Sequence, residues 1–202
     1  MQWREPRHVL AARRDPTAPQ EPRDDPDLPG VPTCLWFDTE AGTAARLYTS
    51  LVPDSEIRQI SHYGSENEHG ETGSVLQVEF RLGTQQFVAL NGGPIFRHSP
   101  AASIQVFCPD QVEVDRLWYR LLEGGGEESQ CGWLTDRFGL SWQIIPTRLG
   151  ELAGDPDPER ASRVIAAMLQ MRKLDIAALE AAADAPANSP ANSPTDAPTT
   201  QA

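Results

Sequence analysis

Residues 35–51, LWFDTEAGTAARLYTSL, are answered seventy positions later by residues 105–121, QVFCPDQVEVDRLWYRL. At that offset Phe37 falls on Phe107, Arg46 on Arg116, Leu47 on Leu117, Tyr48 on Trp118 and Leu51 on Leu121, with no gap. Each copy opens with an apolar, β-favouring run. It continues with Ala44, Tyr48 and Leu51, or with Val114, Trp118 and Leu121, at helical spacing, so each copy reads as a strand followed by a helix. Self-similarity of this length marks one supersecondary unit used twice.

Working outward, Pro53 ends the first helix and Ile57 to Tyr63 reads as a short strand. A polar loop follows. Val75, Leu76, Val78, Phe80 and Leu82 then lead through Gly83-Thr84 to the run from Gln86 to Leu90, a β-hairpin. In the second copy, Asp110 with Glu113 starts the helix. Gly124-Gly125-Gly126 stops it; this triplet follows a helix rather than opening one, so it is no phosphate loop. A short strand near Glu128, one at Cys131 to Asp136 and one at Ser141 to Ile145 complete the unit, and Arg137-Phe138-Gly139 echoes the Arg81-Leu82-Gly83 turn. The expected fold is α+β, with two βαβββ modules forming a cupped mixed sheet over residues 31–150 and C-terminal helices over 155–182. In that appendix Asp157-Pro158 is a helix start, and Asp175 caps a second, short helix. Val164, Ile165, Met168, Leu169 and Met171 form an apolar stripe that packs on the domain's own sheet or a sister subunit, or else serves as a partner groove.

Composition sets the ends apart. Residues 1–30 hold six prolines among Arg, Asp and Glu, too little apolar surface to offset ordering entropy, and are read as a disordered arm. Residues 183–202, rich in Ala, Pro, Asn, Ser and Thr, read as a low-complexity tail. A net charge of −12 argues against nucleic acid, whose phosphates need clustered Lys and Arg. No apolar run reaches the length of a signal segment or membrane span. Cys34, Cys108 and Cys131 are odd in number and widely spaced, which favours reduced cytoplasmic thiols over a disulfide or a zinc site.

The motifs Asn91-Gly92-Gly93-Pro94, Cys108-Pro109-Asp110-Gln111-Val112-Glu113, the run from Cys131-Gly132-Trp133 to Gln143-Ile144-Ile145-Pro146, and Leu174-Asp175-Ile176-Ala177-Ala178-Leu179-Glu180 resemble those of PhnB-like proteins. These belong to the vicinal oxygen chelate superfamily with glyoxalase I, extradiol dioxygenases and bleomycin-resistance proteins. The resemblance covers about residues 31–182 and implies a cup that holds a small-molecule ligand, and a homodimer. Enzymes of the superfamily place a divalent metal in the cup, using His, Glu or Gln from the first and last strand of each module. Here the resemblance puts Gln143 at the last such position, but Pro32-Thr33, Ala89-Leu90 and Ala102-Ser103 at the others. One neutral amide cannot hold a divalent ion against water, so neither metal nor other cofactor is expected. A metal-dependent glyoxalase-like or dioxygenase-like enzyme is the alternative. A third reading is the 3-demethylubiquinone methyltransferase label given to relatives, against which stands the lack of a Gly-rich loop between a parallel strand and a helix.

The ligand-binding candidates are Trp36, Asn91, Arg97, Trp133 and Gln143. Neighbours on a strand face opposite ways, so if Gln143 points into the cup, Trp142 is a core residue. Trp36 and Trp133 either line a pocket or fill the core. His98, flanked by Phe96 and Arg97 on the connection between modules, is the catalytic candidate, a general base beside an arginine able to hold an anion. His8, His62 and His69 read as solvated. Asp38, Glu79 and Asp136 are carboxylates that no spacing makes into a pair. The function expected is binding of a small organic ligand, with the reaction unassigned.

Overall fold

The computed structural model describes residues 30–65 and 70–186. The chain divides into a unit at Met1–Val31 and one at Pro32–Ala202, and the second holds every element given below. The expected arm (1–30) and tail (183–202) lie outside the described residues, apart from Gly30 and residues 183–186. Of these, Ala183 and Asp184 close the last helix.

The first module is β1 (Thr33–Phe37), α1 (Ala41–Leu51), β2 (Glu56–His62), β3 (Val75–Leu82) and β4 (Gln85–Asn91). The second is β5 (Ser103–Cys108), α2 (Gln111–Leu122), β6 (Glu127–Glu128), β7 (Trp133–Thr135) and β8 (Ser141–Pro146). Both are βαβββ units, and the fold is α+β. The eight strands form two four-stranded sheets of matching order, β1-β4-β3-β2 and β5-β8-β7-β6. In each, the first and last strands of the module lie parallel and the other neighbours antiparallel. Helices α3 (Thr147–Ala153), α4 (Pro158–Met168) and α5 (Ile176–Asp184) follow. The helical appendix therefore begins directly after β8, ahead of the boundary expected at 155. No helix among the described residues is long and apolar enough to cross a membrane.

The seventy-residue match is gap-free only in the helices. Ala44, Tyr48 and Leu51 on α1 and Val114, Trp118 and Leu121 on α2 are all buried, in register at that offset. The strands are out of phase: Phe37 is buried beneath its helix, whereas Phe107 is 62% exposed on the opposite face of its sheet. The cause is loop length. Asp38-Thr39-Glu40 joins β1 to α1, but only Pro109-Asp110 joins β5 to α2. A shift of one residue turns every side chain of a strand to the other face. Trp36, not Phe37, is thus the structural counterpart of Phe107.

Each helix covers one face of its own sheet, and the covered faces share one continuous apolar core. Asp136 lies inside it at 2% exposure. Its Oδ2 accepts from the Tyr48 hydroxyl at 2.7 Å and the Trp142 indole N–H at 2.9 Å, and its Oδ1 from the backbone N–H groups of Phe138 at 2.8 Å and Leu140 at 3.1 Å. A buried carboxylate is tolerable only when its lone pairs are met, and four donors meet them. Tyr48 comes from the first module, so this bond crosses between modules. Around it the Tyr48 ring packs on Trp142 at 5.0 Å and Phe138 at 6.1 Å. A second tie is Arg116 Nη2 donating to the Leu51 carbonyl at 2.6 Å.

The appendix forms its own cluster of Leu149, Leu152, Val164, Leu174, Leu179 and Ala183, against which Ile145, Met168 and Met171 pack. It is fastened to the second module by the N–H groups of Cys131 and Gly132 donating to the carbonyls of Met171 and Arg172, both at 2.7 Å. The Gln111 side chain adds a donated bond to the Leu174 carbonyl (3.2 Å) and accepts from Ile176 N–H (2.9 Å). Three of the five residues of the apolar stripe, Val164, Met168 and Met171, are thereby used within the chain, while Ile165 and Leu169 stay exposed. Asp157 and Asp175 cap α4 and α5 through their side chains.

Burial, and then the charge and hydrogen bond of Asp136, hold the Tyr48 phenol well above its ordinary value of 10.0, with Arg137 acting in the opposite sense. A raised folded-state value means the stabilisation is complete below the ordinary phenol pKa and is lost as pH climbs toward the folded one. Ultraviolet absorbance titration should show one tyrosine that ionises only as the protein unfolds, a step that Tyr48→Phe removes. The same substitution should cost about 1–3 kcal/mol in urea unfolding, the usual worth of a buried hydrogen bond to a charged group.

Candidate functional site

Each sheet has a second face turned away from the shared core. On the first it carries Cys34 and Trp36 of β1, Val88 and Leu90 of β4, and Gln77 and Glu79 of β3, joined across strands as Cys34–Val88, Trp36–Leu90, Gln77–Leu90 and Glu79–Val88 pairs. On the second it carries Ser103, Gln105 and Phe107 of β5, Gln143 and Ile145 of β8, and Trp133 of β7. The register sets Gln143 between Gln105 and Trp133. Gln105 Nε2 donates to Gln143 Oε1 at 3.1 Å, and Gln143 Nε2 donates to Ser103 Oγ at 2.8 Å. Trp142, next to Gln143, is 1% exposed in the core, as the alternation of a strand requires.

These residues do not fit a glyoxalase-type metal quartet. Ser103 and Gln143 are neutral and bonded to each other. On the first sheet Ala89 faces the core, fully buried, so the residue at the matching place is Val88. Among the described residues no three His, Cys, Asp or Glu side chains come together in a way that could hold a metal ion. A divalent cation needs several charged or imidazole donors; the second face supplies amides and a hydroxyl, and the first adds the Gln77 amide, the Cys34 thiol and a single carboxylate, Glu79.

The other candidates gather at the carboxyl end of β1. Trp36 Nε1 donates to the Gly93 carbonyl at 2.9 Å, and the indole lies so close to Gly92 that a Cβ there would collide with the ring. Gly93 takes a φ of +84°, open to glycine without strain. Trp36 thus fixes the Gly92-Gly93-Pro94 turn, which directs Phe96, Arg97 and His98 back toward it; the Trp36 and Phe96 rings meet edge-on at 5.1 Å. A junction cavity of about 400 Å³ results, lined by Trp36, Asp38, Arg97 and His98 on one side and Arg137 and Phe138 of the β7–β8 turn on the other. The His98 ring rests on Phe37 at 5.0 Å. Burial lowers its pKa and the charge of Asp136 opposes this, so the imidazole is largely neutral at pH 7.

Trp36, Arg97 and His98 therefore share one cavity, while Trp133 and Gln143 sit together on the second sheet. Asn91 joins neither group. Its Oδ1 accepts from Ala41 N–H at 2.8 Å and its Nδ2 donates to the Val75 carbonyl at 2.9 Å, so its amide caps α1, whose own N-cap residue Glu40 offers no side-chain bond. Asn91 also borders a separate cavity of about 540 Å³ with Thr43, Arg46 and Tyr63, but its polar atoms are committed to the fold. Sequence reasoning passed over Arg137 and Phe138, which read only as part of a turn. Asp38, read as a carboxylate without a partner, lines the junction.

Two βαβββ modules whose first and last strands lie side by side define the vicinal oxygen chelate class of fold. Residues 29–145 match the family described as 3-demethylubiquinone-9 3-methyltransferase, and the chain belongs to that PhnB-like family. It is similar to a PhnB protein from Bacillus cereus, described as a candidate 3-demethylubiquinone-9 3-methyltransferase, at 32% identity over 58% of this chain and 98% of that one, with a TM-score of 0.53. A protein from Staphylococcus aureus is 30% identical over 58% of this chain and 96% of its own, with a TM-score of 0.27. A glyoxylase/bleomycin resistance protein/dioxygenase domain from Frankia is 17% identical over 59% and 92%, with a TM-score of 0.36. No curated protein matches the chain. The family match ends at Ile145, so α3, α4 and α5 lie beyond it.

Gly92→Ala should force the Trp36 ring aside. The expected result is a loss of about 1–3 kcal/mol, as overpacking generally costs, together with a change in tryptophan fluorescence from the folded protein.

Proposed function

We propose that this PhnB-like chain binds a small organic ligand on its open sheet faces, without a glyoxalase-type metal, and that two copies of the chain complete the cup. The observation that carries the reading is the second sheet's open face, where Phe107 is 62% exposed beside the partly buried Trp133 and Ile145. Through this apolar surface runs the Gln105–Gln143–Ser103 hydrogen-bonded chain. Apolar and aromatic walls with a few aligned polar groups are what a small-molecule site needs. Left in water, such a surface is a patch awaiting a cover.

Both covered faces meet in the shared core, so the open faces of one chain cannot close on each other. A second copy supplies the missing wall, and a two-fold pair does so reciprocally. Ligand recognition then rests on hydrogen bonds from amides and a hydroxyl. Methyl transfer is disfavoured, since the strand-to-helix links Asp38-Thr39-Glu40 and Pro109-Asp110 hold no glycine on which a nucleotide-like donor could rest. The three free cysteines, with Cys34 exposed, favour a reducing compartment such as the cytoplasm.

Sedimentation of the full chain should give the mass of two copies, and Phe107→Glu should give the mass of one with its circular dichroism preserved. In a thermal-shift screen of diols, phosphonates and hydrophobic antibiotics, at least one class should stabilise the protein and lose its effect in Gln143→Ala. A single-chain mass together with no stabilisation by any class would overturn the reading, as would a stoichiometric divalent ion in protein purified without chelator.

A further inference from the structure

The junction cavity is distinct from the second sheet's open face, and several of its charged lining groups have no ion-pair partner, although the Arg137 guanidinium lies over the Phe138 ring at 4.8 Å. His98 Nε2 is buried and has no hydrogen-bond partner, although buried polar atoms are ordinarily satisfied. Arg97, Arg137 and Asp38 line the same space, and none of the three makes an ion pair among the described residues. Glu40 lines it as well, with Oε2 already accepting from Thr39 N–H at 3.0 Å. Exposed charges of both signs thus border one open cavity of about 400 Å³ without pairing with one another. The aromatic side chains Trp36, Phe37, Phe96 and Phe138 supply the remaining wall.

A simple anion would meet Asp38 and Glu40, and a simple cation would meet Arg97 and Arg137. A molecule carrying both charges on an aromatic body meets each with its opposite. We propose that the junction cavity binds a small aromatic zwitterion of the amino-acid class, its carboxylate on Arg97 and Arg137 and its ammonium on Asp38. Its ring lies against Trp36 and Phe96, and the His98 side chain borders the same space. Arginine suits the carboxylate because its planar fork can donate two parallel bonds. The ammonium gains further from the aromatic faces beside it. The three charged side chains come from the β1–α1 link, the connection between modules and the β7–β8 turn, so the ligand would bridge both modules.

The test uses the full chain with labelled histidine, the His98 imidazole signals being assigned through His98→Gln. L-phenylalanine, 3-phenylpropionate and phenethylamine are titrated in turn. L-phenylalanine should move the His98 signals saturably, and each singly charged probe should bind about tenfold or more weakly, the usual loss for a missing charged hydrogen bond. Arg97→Gln and Asp38→Asn should weaken L-phenylalanine by a similar factor while leaving the ligand-free melting temperature unchanged. Phe107→Glu should leave this binding intact, which separates the junction from the second open face. His98 signals unmoved by all three probes, equal responses to all three, or undiminished affinity in both charge variants would overturn the assignment.

Discussion

A carboxylate held away from water must be given donors, and where those donors come from determines how this chain is arranged. Asp136 takes one from α1 of the first module, one from β8 and two from the backbone of its own turn. The backbone bonds shape the β7–β8 turn and leave Arg137 and Phe138 at the junction cavity. The indole bond draws Trp142 inward, and a strand with Trp142 inside must show Gln143 outside. The phenol bond sets α1 of the first module against the sheet of the second. One buried charge thus links the docking of the modules, the polarity of the second open face and one wall of the junction.

The shared core has a consequence for the outer surfaces. Because both helix-covered faces are spent on a common interior, aromatic and amide side chains are left on the opposite faces, Trp36 on one and Phe107 with Trp133 on the other. The appendix covers only the end of the second face, where Ile145 packs on its cluster. Gly132 is integral to that join: it adopts a φ of +84°, and a Cβ there would lie 2.9 Å from the Ile144 carbonyl and 3.0 Å from Leu174. The chain itself consequently covers Ile145 on the second face, while Phe107 beside it and Gln105 stay exposed.

The helical part of the repeat was legible because amphipathic spacing is a local signal, and Tyr48 and Trp118 do occupy matching buried places. The strand phase was not, because it depends on the lengths of two short links that an ungapped comparison passes over. Trp142 and Gln143 could be assigned to opposite faces from alternation alone. Asn91 could not be recognised as a cap, since its bond to Ala41 joins residues fifty positions apart and depends on how β4 lies beside β1. Helix α3 starts straight after Pro146 with no side-chain cap to announce it. The junction cavity is a meeting of three loops, and nothing in the spacing of Asp38, Arg97 and Arg137 foretells it.

The central claim is that Asp136 makes two modules into one cooperative body, and native-state hydrogen exchange in increasing urea tests it most directly. Amides of β3 in the first module and β8 in the second should converge on one opening free energy, and Asp136→Ala should lower both by the same amount. Separate opening free energies for β3 and β8, with only β8 responding to the substitution, would contradict it.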